Sequence, residues 1–490
     1  MTLKELFTDI EDAVWPIEKG DVDISLISCD SREVQQGSLF FALSGLKFRG
    51  VDFVADVIDK GAKAVIIAVD EAPLLSVKVP DQVALIQAKD PKTLLRRLAL
   101  RFYGYPSKSI QTIGITGTNG KTTFTYIMES IIHEAAQMCG VIGTVNYRIG
   151  KDIIPAENTT PGFIQMQRFL SLIRERHAGF CVMEVSSHAL HQGRVDGIDF
   201  AAAVFSNLTQ DHLDYHQDME EYFQAKALLF KGLSPNVPAI INGDDIYSKR
   251  LCDMTKAKVL TYGIDQKANI MATRIQYDLS GTHFEIMFPH TTVAVTTRLI
   301  GKHNVYNILS AAACAFVMGF KVDDIRRGIE VLVNVPGRLE AVDTKQGFHV
   351  FIDYAHTEDG LVNVLKAFRE VSRSKIITVF GCGGDRDQNK RPKMGAAVCA
   401  LSDYAIITSD NPRSEDPLKI IDQIIVGFTK DNYDVCPDRK EAIGRALKQA
   451  KPGEIVLLAG KGHEDYQILK TGKVKFNEQD IVREFLACLA

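Results

Sequence analysis

The segment Thr116-Gly117-Thr118-Asn119-Gly120-Lys121-Thr122-Thr123 combines glycine, lysine and hydroxyl side chains at a spacing suited to phosphate. It follows a β-prone run at 112–115 and opens a segment whose apolar residues recur at helical spacing. Glycines let backbone amides close around an anion, the helix N-terminus adds partial positive charge, Lys121 neutralises phosphate, and Thr122 can hold Mg²⁺. The usual G-x-x-x-x-G-K-[ST] pattern is not met, because Ile115 stands where its first glycine would be. A glycine turn before a surface helix does not explain the Lys-Thr pair, so the segment favours a non-standard P-loop.

Polar side chains also follow two other predicted strands of the same sheet. Glu184 ends the apolar run 180–183, where a nucleotide site needs a carboxylate for Mg²⁺, although a strand-end glutamate is usually only solvated. The strand 201–205 leads to the possible metal ligands Asp211, His212, Asp214 and His216. A polar loop capping the helix from Met219 explains that spacing better, and imidazole suits zinc better than Mg²⁺. Because ligands gather at the carboxyl ends of strands in open α/β sheets, three such clusters outweigh any one of them.

Three further sites have both a structural and a chemical interpretation. Lys226 lies among apolar neighbours, but a helical lysine is nearly always at the surface. Asp353 follows a buried strand and could simply cap a turn. The run Asp410-Asn411-Pro412-Arg413 has the composition of a turn, but an arginine at a strand end facing a cleft could equally hold a carboxylate.

The composition is that of an ordinary globular protein. At 490 residues the chain has room for about three domains of roughly 150 residues each. A net charge of −4 gives no basic field for nucleic acid, so we expect no such partner. The nine cysteines are scattered without a C-x-x-C pair, which predicts buried thiols in a reducing compartment. The polar N-terminus and the absence of long apolar runs predict neither signal peptide nor membrane span, and hence a cytoplasmic protein, which we expect to be a monomer.

The order of apolar and helical segments predicts three α/β domains. Residues 1–107 form a small N-terminal domain that ends with the helix 91–103. Residues 108–336 alternate strands and helices as a parallel sheet does, with an antiparallel meander at 268–300. Residues 337–490 contain four more apolar strands separated by helical segments, which predicts a second, Rossmann-like doubly wound sheet. The central domain is expected to be the mononucleotide-binding P-loop fold.

Taken together, these motifs resemble those of the Mur ligases of bacterial cell-wall synthesis, over nearly the whole chain. The matching segments, in order, are 116–123 (TGTNGKTT), 184–188 (EVSSH), 207–216 (NLTQDHLDYH), 301–304 (GKHN), 336–339 (PGRL) and 353–357 (DYAHT). The segments similar to those of members that add meso-diaminopimelate to UDP-N-acetylmuramoyl-L-alanyl-D-glutamate are 381–387 (GCGGDRD), 410–413 (DNPR) and 460–464 (GKGHE).

The resemblance implies a role for particular residues. The implied ATP-binding residues are Thr116, Gly117, Thr118, Asn119, Gly120, Lys121, Thr122, Thr123, Asn304, Arg338 and Asp353. The implied Mg²⁺ ligands are Thr122, Glu184, His212 and Lys226, the last as a carbamate, and the implied catalytic residues are Lys121, Lys226 and His212. The UDP-muramoyl peptide is matched by Ser31, Asn158, Thr159, Thr160, Ser186, Gln192 and Arg194, with Leu46-Lys47-Phe48 in a uridine-side loop. Diaminopimelate is matched by Arg386, Asp410, Asn411, Pro412, Arg413, Gly460 and Glu464.

The implied reaction is ATP-driven amide formation with ATP and Mg²⁺, through an acyl phosphate. Two alternatives within the class are a folylpolyglutamate synthetase and the Mur ligase that adds a dipeptide, and the segments 381–387 and 410–413 argue against both. An alternative from another class is a nucleotide-driven switch that hydrolyses ATP to change shape. A ligase differs from it in releasing little ADP until both acceptor and amine are supplied.

Overall fold

A computed structural model describes residues 1–45 and 48–489. Leu46 and Lys47, expected in the uridine-side loop, lie outside the described residues. The chain divides into two compact units. The first consists of 1–111, 161–179 and 192–199, and the second of 112–160, 180–191 and the chain from 200 onward.

The α-helices of the described chain run in sequence between the strands. They are α1 Leu3–Leu6, α2 Val54–Asp59, α3 Pro91–Phe102, α4 Lys121–Glu134, α5 Phe163–Glu175, α6 Ser187–His191, α7 Met219–Lys231, α8 Ser248–Met254, α9 Lys302–Val317, α10 Val322–Val331, α11 Glu358–Val371, α12 Lys390–Leu401, α13 Pro417–Ile425, α14 Arg439–Gln449 and α15 Glu478–Leu489. Short 3₁₀ helices are Ile17–Lys19, Gly50–Phe53, Val69–Leu74 and Pro106–Ser109.

The first unit contains a five-stranded sheet in the order β1-β5-β4-β3-β2. Its strands are β1 Ala13–Val14, β2 Leu26–Ser28, β3 Ser38–Phe41, β4 Ala64–Ala68 and β5 Ala84–Ala88. Neighbouring strands from β2 to β5 are parallel, and β1 is antiparallel to β5. Helix α3 confirms the predicted helix 91–103, whereas β1 and β2 are too short to show a sequence pattern. The Asp90 side chain caps α3 by accepting from the amides of Lys92 and Thr93.

The second unit contains an eleven-stranded sheet in the order β16-β15-β14-β13-β12-β11-β6-β10-β7-β8-β9. Its strands are β6 Gln111–Thr116, β7 Cys139–Ile142, β8 Asn146–Ile149, β9 Asp152–Pro155, β10 Phe180–Glu184, β11 Phe200–Phe205, β12 Pro238–Asn242, β13 Lys258–Gly263, β14 Ile270–Asp278, β15 Gly281–Phe288 and β16 Thr291–Thr297. The predicted antiparallel meander is confirmed as β14 to β16, and it continues the main sheet because β14 pairs in parallel with β13.

The centre of this sheet brings three predicted polar clusters to one edge. The strand β6 lies between β11 and β10, so Thr116, Glu184 and Phe205 end side by side. Helix α4 follows β6 and buries Phe124, Ile127, Met128 and Ile131 completely. This apolar face is the one that the helical spacing predicted, and its burial fixes the helix N-terminus against the sheet edge.

The second unit also contains a six-stranded sheet in the order β17-β18-β22-β19-β20-β21. Its strands are β17 Glu340–Val342, β18 His349–Asp353, β19 Ile376–Phe380, β20 Tyr404–Ile407, β21 Tyr433–Val435 and β22 Ile455–Ala459, and a hairpin follows with β23 Tyr466–Leu469 and β24 Gly472–Lys475. All pairings from β18 to β21 are parallel, which confirms the doubly wound sheet. The predicted α/β fold class is confirmed throughout.

Two expectations about burial are wrong. Cys29 and Cys488 are exposed and Cys252 is partly exposed, so the cysteines are not all buried, although all nine are free. The general expectation of a surface position also fails for Lys226, which is only 2% exposed. Lys226 lies on the buried side of α7 with Phe223 and Phe230, whereas Leu228 on the other side is exposed.

Arg439 and Glu478 form a buried ion pair at the first residues of α14 and α15. The Arg439 Nε donates to Glu478 Oε1 at 2.8 Å, and Nη2 donates to the carbonyl of Ala459 at 2.7 Å. The two side chains are 0% and 1% exposed. A charge left unpaired in such a place is costly, since it lacks both water and a counter-ion.

We expect Arg439→Met to lower the free energy of unfolding by about 3–5 kcal/mol, because it leaves the buried Glu478 carboxylate without a counter-ion. The double variant Arg439→Met with Glu478→Leu should recover most of this loss. Lys440→Met serves as the control, since the Lys440–Glu484 pair is exposed and should contribute at most about 1 kcal/mol. Urea unfolding monitored by circular dichroism measures all three, and equal losses for Arg439→Met and Lys440→Met would contradict the prediction.

Candidate active site

The loop between β6 and α4 depends on two glycines with positive φ. Gly117 has φ +150°, and a Cβ there would lie 1.9 Å from Ser206 Oγ. Gly120 has φ +90°, and a Cβ there would lie 2.2 Å from Asn307 Oδ1. Any side chain at either position would therefore meet both backbone strain and a neighbouring polar group.

The segment that follows β11 clamps this loop. Ser206 Oγ donates to the Asn119 carbonyl at 2.6 Å, and the Asn119 amide donates to Asn207 Oδ1 at 2.9 Å. The Thr118 amide donates to the Asn207 carbonyl at 2.9 Å. These bonds hold the loop in one conformation in front of the 14-residue helix α4, whose N-terminal amides form an anion site.

Two lysines donate to the same carbonyl oxygen of the loop. Lys121 Nζ donates to the carbonyls of Gly117 and Thr118 at 2.8 and 2.9 Å. Lys226 Nζ donates to the same Gly117 oxygen at 2.8 Å and lies 4.5 Å from the ring centroid of Tyr222. Burial lowers the pKa of Lys226 well below its usual value, and the charge of Lys121 lowers it further. Lys226 is therefore poised to become a neutral, nucleophilic amine.

The four residues predicted to bind Mg²⁺ line one small cavity of about 160 Å³. They are Thr122, Glu184, His212 and Lys226. Glu184 accepts from the Thr144 amide and hydroxyl, both at 2.9 Å, and Thr122 Oγ1 accepts from Arg338 Nη2 at 3.1 Å. Among the described residues, no three His, Cys, Asp or Glu side chains form a ready-made metal cluster. A hydroxyl and one carboxylate nevertheless fit Mg²⁺, which prefers oxygen ligands and takes the rest from water and substrate phosphates.

His212 lies at this cavity in an unusual backbone conformation. It has φ +54°, and its Nε2 lies 3.5 Å from Asp211 Oδ2. Burial lowers the pKa of His212, although the Asp211 carboxylate opposes the shift. The neutral imidazole is the form that can bind a metal. Of the other possible ligands in this loop, His216 instead bonds Ser187 Oγ through Nε2 at 3.0 Å.

A second cavity, of about 350 Å³, opens beside the loop and contains seven of the predicted nucleotide residues, whereas Thr118 and Lys121 line the smaller cavity. The lining of the second cavity includes Asn304, Arg338 and Asp353 as well as Asn119, Gly120, Thr122 and Thr123. The Arg338 guanidinium lies 4.8 Å from the ring centroid of Tyr354. Asp353 does cap a turn, because its two oxygens accept from the amides of Leu339 and Ala355, each at 2.7 Å.

The largest cavity of this site, about 610 Å³, collects the predicted diaminopimelate residues. Its lining includes Arg386, Asp410, Asn411, Arg413, Gly460 and Glu464, together with Asp211 and His212. Pro412 is turned away and packs its carbonyl against Gly384. Arg413 has φ +52°, and its Nη1 donates to the Gly384 carbonyl at 2.8 Å. Backbone strain of this kind is often found at functional sites.

The residues predicted to bind the UDP-muramoyl peptide are divided between the two units. Ser31, Gln192 and Arg194 belong to the first unit, where Arg194 Nε donates to Gln192 Oε1 at 2.9 Å. Asn158, Thr159, Thr160 and Ser186 belong to the second unit. There, Thr160 Oγ1 donates to the Glu184 carbonyl at 2.8 Å, and the hydroxyls of Thr159 and Thr144 are 3.0 Å apart.

Sequence reasoning missed two residues that contact the site. Asp359, in the first turn of α11, accepts from Asn119 Nδ2 at 2.7 Å and from Thr209 Oγ1 at 3.3 Å. Lys461 is fully buried among Asp410, Asn411 and Glu464. An acidic residue near a helix N-terminus has an ordinary structural interpretation. Lys461 lies inside the matching segment 460–464, but a lysine between two glycines does not by itself indicate a role.

The fold and the loop define a P-loop protein of the α/β class, and comparison with known proteins narrows this class. The family model for the Mur ligase middle domain matches residues 115–315, the Mur ligase, glutamate ligase domain matches 337–462, and the Mur ligase family catalytic domain matches 23–103.

Similar proteins agree with these family models. The UDP-N-acetylmuramoyl-L-alanyl-D-glutamate--2,6-diaminopimelate ligase of Geobacter metallireducens is 43% identical and covers 97% of both chains. The protein of the same name from Geobacillus thermodenitrificans is 44% identical over 96% of both. A solved structure of a ligase of that name matches with a TM-score of 0.69 at 32% identity, over 100% of this chain and 99% of the other.

The chain belongs to the Mur ligase family. It is an ATP-dependent ligase that forms an amide bond. A fold likeness extends to the MurF ligase of Thermotoga maritima in complex with ADP, at 18% identity and a TM-score of 0.67, over 96% of this chain and 99% of the other.

We expect Gly120→Ala to weaken binding of a non-hydrolysable ATP analogue by at least about tenfold, because φ +90° and Asn307 both oppose a Cβ there. Gly319→Ala is a matched control, since Gly319 has φ +87° but no atom within 4 Å of its Cβ position. Titration calorimetry with thermal unfolding separates binding from stability. Similar nucleotide affinities in the two variants would show that the Asn307 contact has no part in shaping the loop.

Proposed function

We propose that this protein uses ATP to join meso-diaminopimelate to the D-glutamyl carboxylate of UDP-N-acetylmuramoyl-L-alanyl-D-glutamate. The observation that carries the proposal is the 610 Å³ cavity, whose wall includes Arg413 and Glu464 from the six-stranded sheet and His212 from the eleven-stranded sheet. A guanidinium and a carboxylate are suited to the carboxylate and ammonium of an amino-acid end. The relatives named above support the choice of substrates.

The proposed reaction has two steps. The glutamyl carboxylate attacks the γ-phosphorus of ATP, the bond to the ADP oxygen breaks, and an acyl phosphate forms. The free amine of diaminopimelate then attacks the acyl carbon, loses a proton and displaces phosphate. The α4 amides and Lys121 stabilise the charge that grows on the phosphoryl oxygens. Bound Mg²⁺ would supply further positive charge there, and Thr122, Glu184, His212 and carbamylated Lys226 are the residues proposed to hold it.

Carbamylation of Lys226 would remove the electrostatic repulsion between this buried lysine and the second cation, Lys121. The neutral amine adds to CO₂ and releases a proton, which converts a cationic group into an anionic one. The low pKa of Lys226 supports this step, because only the unprotonated amine reacts. The resulting carboxylate-like group would face Lys121 and the metal site as a counter-charge.

We expect Lys226→Ala to be nearly inactive and to be partly rescued by small added carboxylates. Lys231→Ala is the control on the same helix, because Lys231 is exposed and should be dispensable. Initial rates of phosphate release measure both variants with and without acetate. An unmodified ammonium at Lys226 in the electron density of a nucleotide-bound crystal would contradict the carbamate.

Arg413 is proposed to select diaminopimelate over lysine. The two amino acids differ by one carboxylate beside the distal amine, and a guanidinium can bind that carboxylate through two charge-assisted hydrogen bonds. With lysine bound, Arg413 would lie unpaired near a second cation, so the wrong substrate is also rejected. A site built for a polar partner can discriminate by roughly 10⁴-fold when the partner is missing.

We expect Arg413→Ala to raise KM for diaminopimelate strongly and to leave KM for ATP almost unchanged, because the lost contact is to the amino acid alone. Arg445→Ala, which removes an exposed arginine paired with Glu441, should change neither constant. A coupled assay of ADP formation measures both. Wild-type protein that joined lysine as readily as diaminopimelate would contradict this assignment and leave the ligase activity intact.

One experiment tests the function as a whole. The protein is incubated with ATP, Mg²⁺, the UDP-muramoyl dipeptide and a panel of amino acids, and the products are measured by mass spectrometry. We expect the tripeptide product with meso-diaminopimelate and little ADP when either acceptor or amine is withheld. Rapid ADP release with neither present would instead indicate a nucleotide-driven switch.

Several broader expectations belong to the same proposal. We place the reaction in the cytoplasm, which the free thiols of the nine cysteines support. No helix in the described chain is long and apolar enough to cross a membrane. The domain limits 1–107, 108–336 and 337–490 and the monomeric state stay predictions.

A further inference from the structure

Lys461 is a buried cation that the proposed mechanism does not use. It stands next to Gly460 and three residues before Glu464, and its side chain is 0% exposed. A lysine is almost never withdrawn completely from water unless its ammonium is paired. The groups that pair it therefore indicate what it does.

All three close polar partners of Lys461 are proposed amino-acid-binding residues. Its Nζ lies 2.8 Å from Asn411 Oδ1, 2.7 Å from Glu464 Oε2 and 3.4 Å from Asp410 Oδ1. The contacts with Asn411 and Glu464 are hydrogen bonds, and the longer contact with Asp410 is an ion pair. Lys461 is thus directed at the walls of the diaminopimelate cavity and not into the cavity.

These contacts fix the orientation of the Asn411 amide. Asn411 Oδ1 accepts from Lys461 and also from the Ile468 amide at 2.9 Å. Its Nδ2 must then point the other way, where it donates to Glu464 Oε2 at 2.9 Å. Both donors, Lys461 and the Ile468 amide, point at the Oδ1 position. A flipped Asn411 side chain would place its own N–H groups against these N–H groups, so this orientation is excluded.

The same contacts orient Glu464. The two hydrogen bonds that described residues donate to it, from Lys461 and Asn411, both go to Oε2. Its other oxygen is therefore the one available to a ligand at the cavity wall. Lys461 also balances one of the two carboxylates, Asp410 and Glu464, so that the trio carries a single negative charge, which matches one substrate ammonium.

We propose that Lys461 is a positioning residue for the amino-acid substrate, which holds Asn411 and Glu464 in the arrangement that receives the substrate ammonium. This rests on the proposed function. Without the Lys461 ammonium, the carboxylates of Asp410 and Glu464 repel each other across a buried space, and the Asn411 amide can rotate. Diaminopimelate binding then weakens, whereas Lys461 is not among the described residues that line the proposed nucleotide cavity.

The test compares KM values for the three substrates in wild type and Lys461→Met, which has a similar length and no charge. We expect KM for meso-diaminopimelate to rise at least about tenfold, since one partner of a buried charge network is lost. KM for ATP and for the UDP-muramoyl dipeptide should stay within about twofold of wild type. A residue that only stabilises the fold would not produce this selective change.

Lys473→Met is the matched control. Lys473 Nζ lies 3.5 Å from the ring centroid of Tyr466, and Lys461 Nζ lies 5.5 Å from the same ring. Lys473 belongs to the exposed strand β24, and its replacement should change none of the three constants. The control therefore removes a lysine that also lies near Tyr466. A change seen only in Lys461→Met can then be attributed to the polar contacts of Lys461.

Lys461→Gln is the second variant, because it keeps an amide donor towards Asn411 without the charge, and it should show a smaller selective rise. An unchanged KM for diaminopimelate in a folded variant, or an equal rise for all three substrates, would overturn the proposal. Failure of both Lys461 variants to fold would also overturn it, because a role in stabilising the fold would then explain the residue. Absence of product from wild type with diaminopimelate would instead overturn the proposed function, and the wild-type assay shows this first.

Discussion

Two ammonium groups on one carbonyl oxygen form the contact around which the site is organised. Lys121 and Lys226 both donate to the Gly117 oxygen at 2.8 Å. Burial lowers the pKa of both lysines, and their mutual repulsion adds to the shift at Lys226. Two neighbouring cations favour negative charge at the loop. Phosphate groups beside Lys121 and a carbamate on Lys226 would supply it.

The glycine loop can present its carbonyl in this way only because other elements hold it. Gly117 has no room for a side chain beside Ser206, and Gly120 has none beside Asn307. The two restraints come from the loop after β11 and from α9, which are distant in sequence. The phosphate site is therefore a property of the packed sheet and not of the eight-residue motif alone.

Residues next to strands of the six-stranded sheet also contact the glycine loop. Asp359 from α11 accepts from Asn119 and also lines the proposed diaminopimelate cavity, and Arg338 donates to Thr122. Asp353 ends β18, and Asp410 and Gly460 follow β20 and β22, as expected where parallel strands end at one edge. The proposed reaction requires an activated carboxylate and an amine in one enclosure, and these contacts connect the loop with the elements around the six-stranded sheet.

The sequence by itself determined the local features. Hydrophobic spacing predicted α4, the parallel strands and the meander, because periodicity reflects which face of an element is buried. The Gly-Lys-Thr run predicted the phosphate loop, because glycine torsions and a helix N-terminus are local properties. The short strands β1 and β2 were not predicted, because two or three residues show no periodicity.

Only the tertiary structure decided that Lys226 is buried, that Asp359 reaches Asn119, and that Lys461 lies between Asn411 and Glu464. Those positions depend on burial and on contacts between segments up to 240 residues apart, which a linear pattern does not contain.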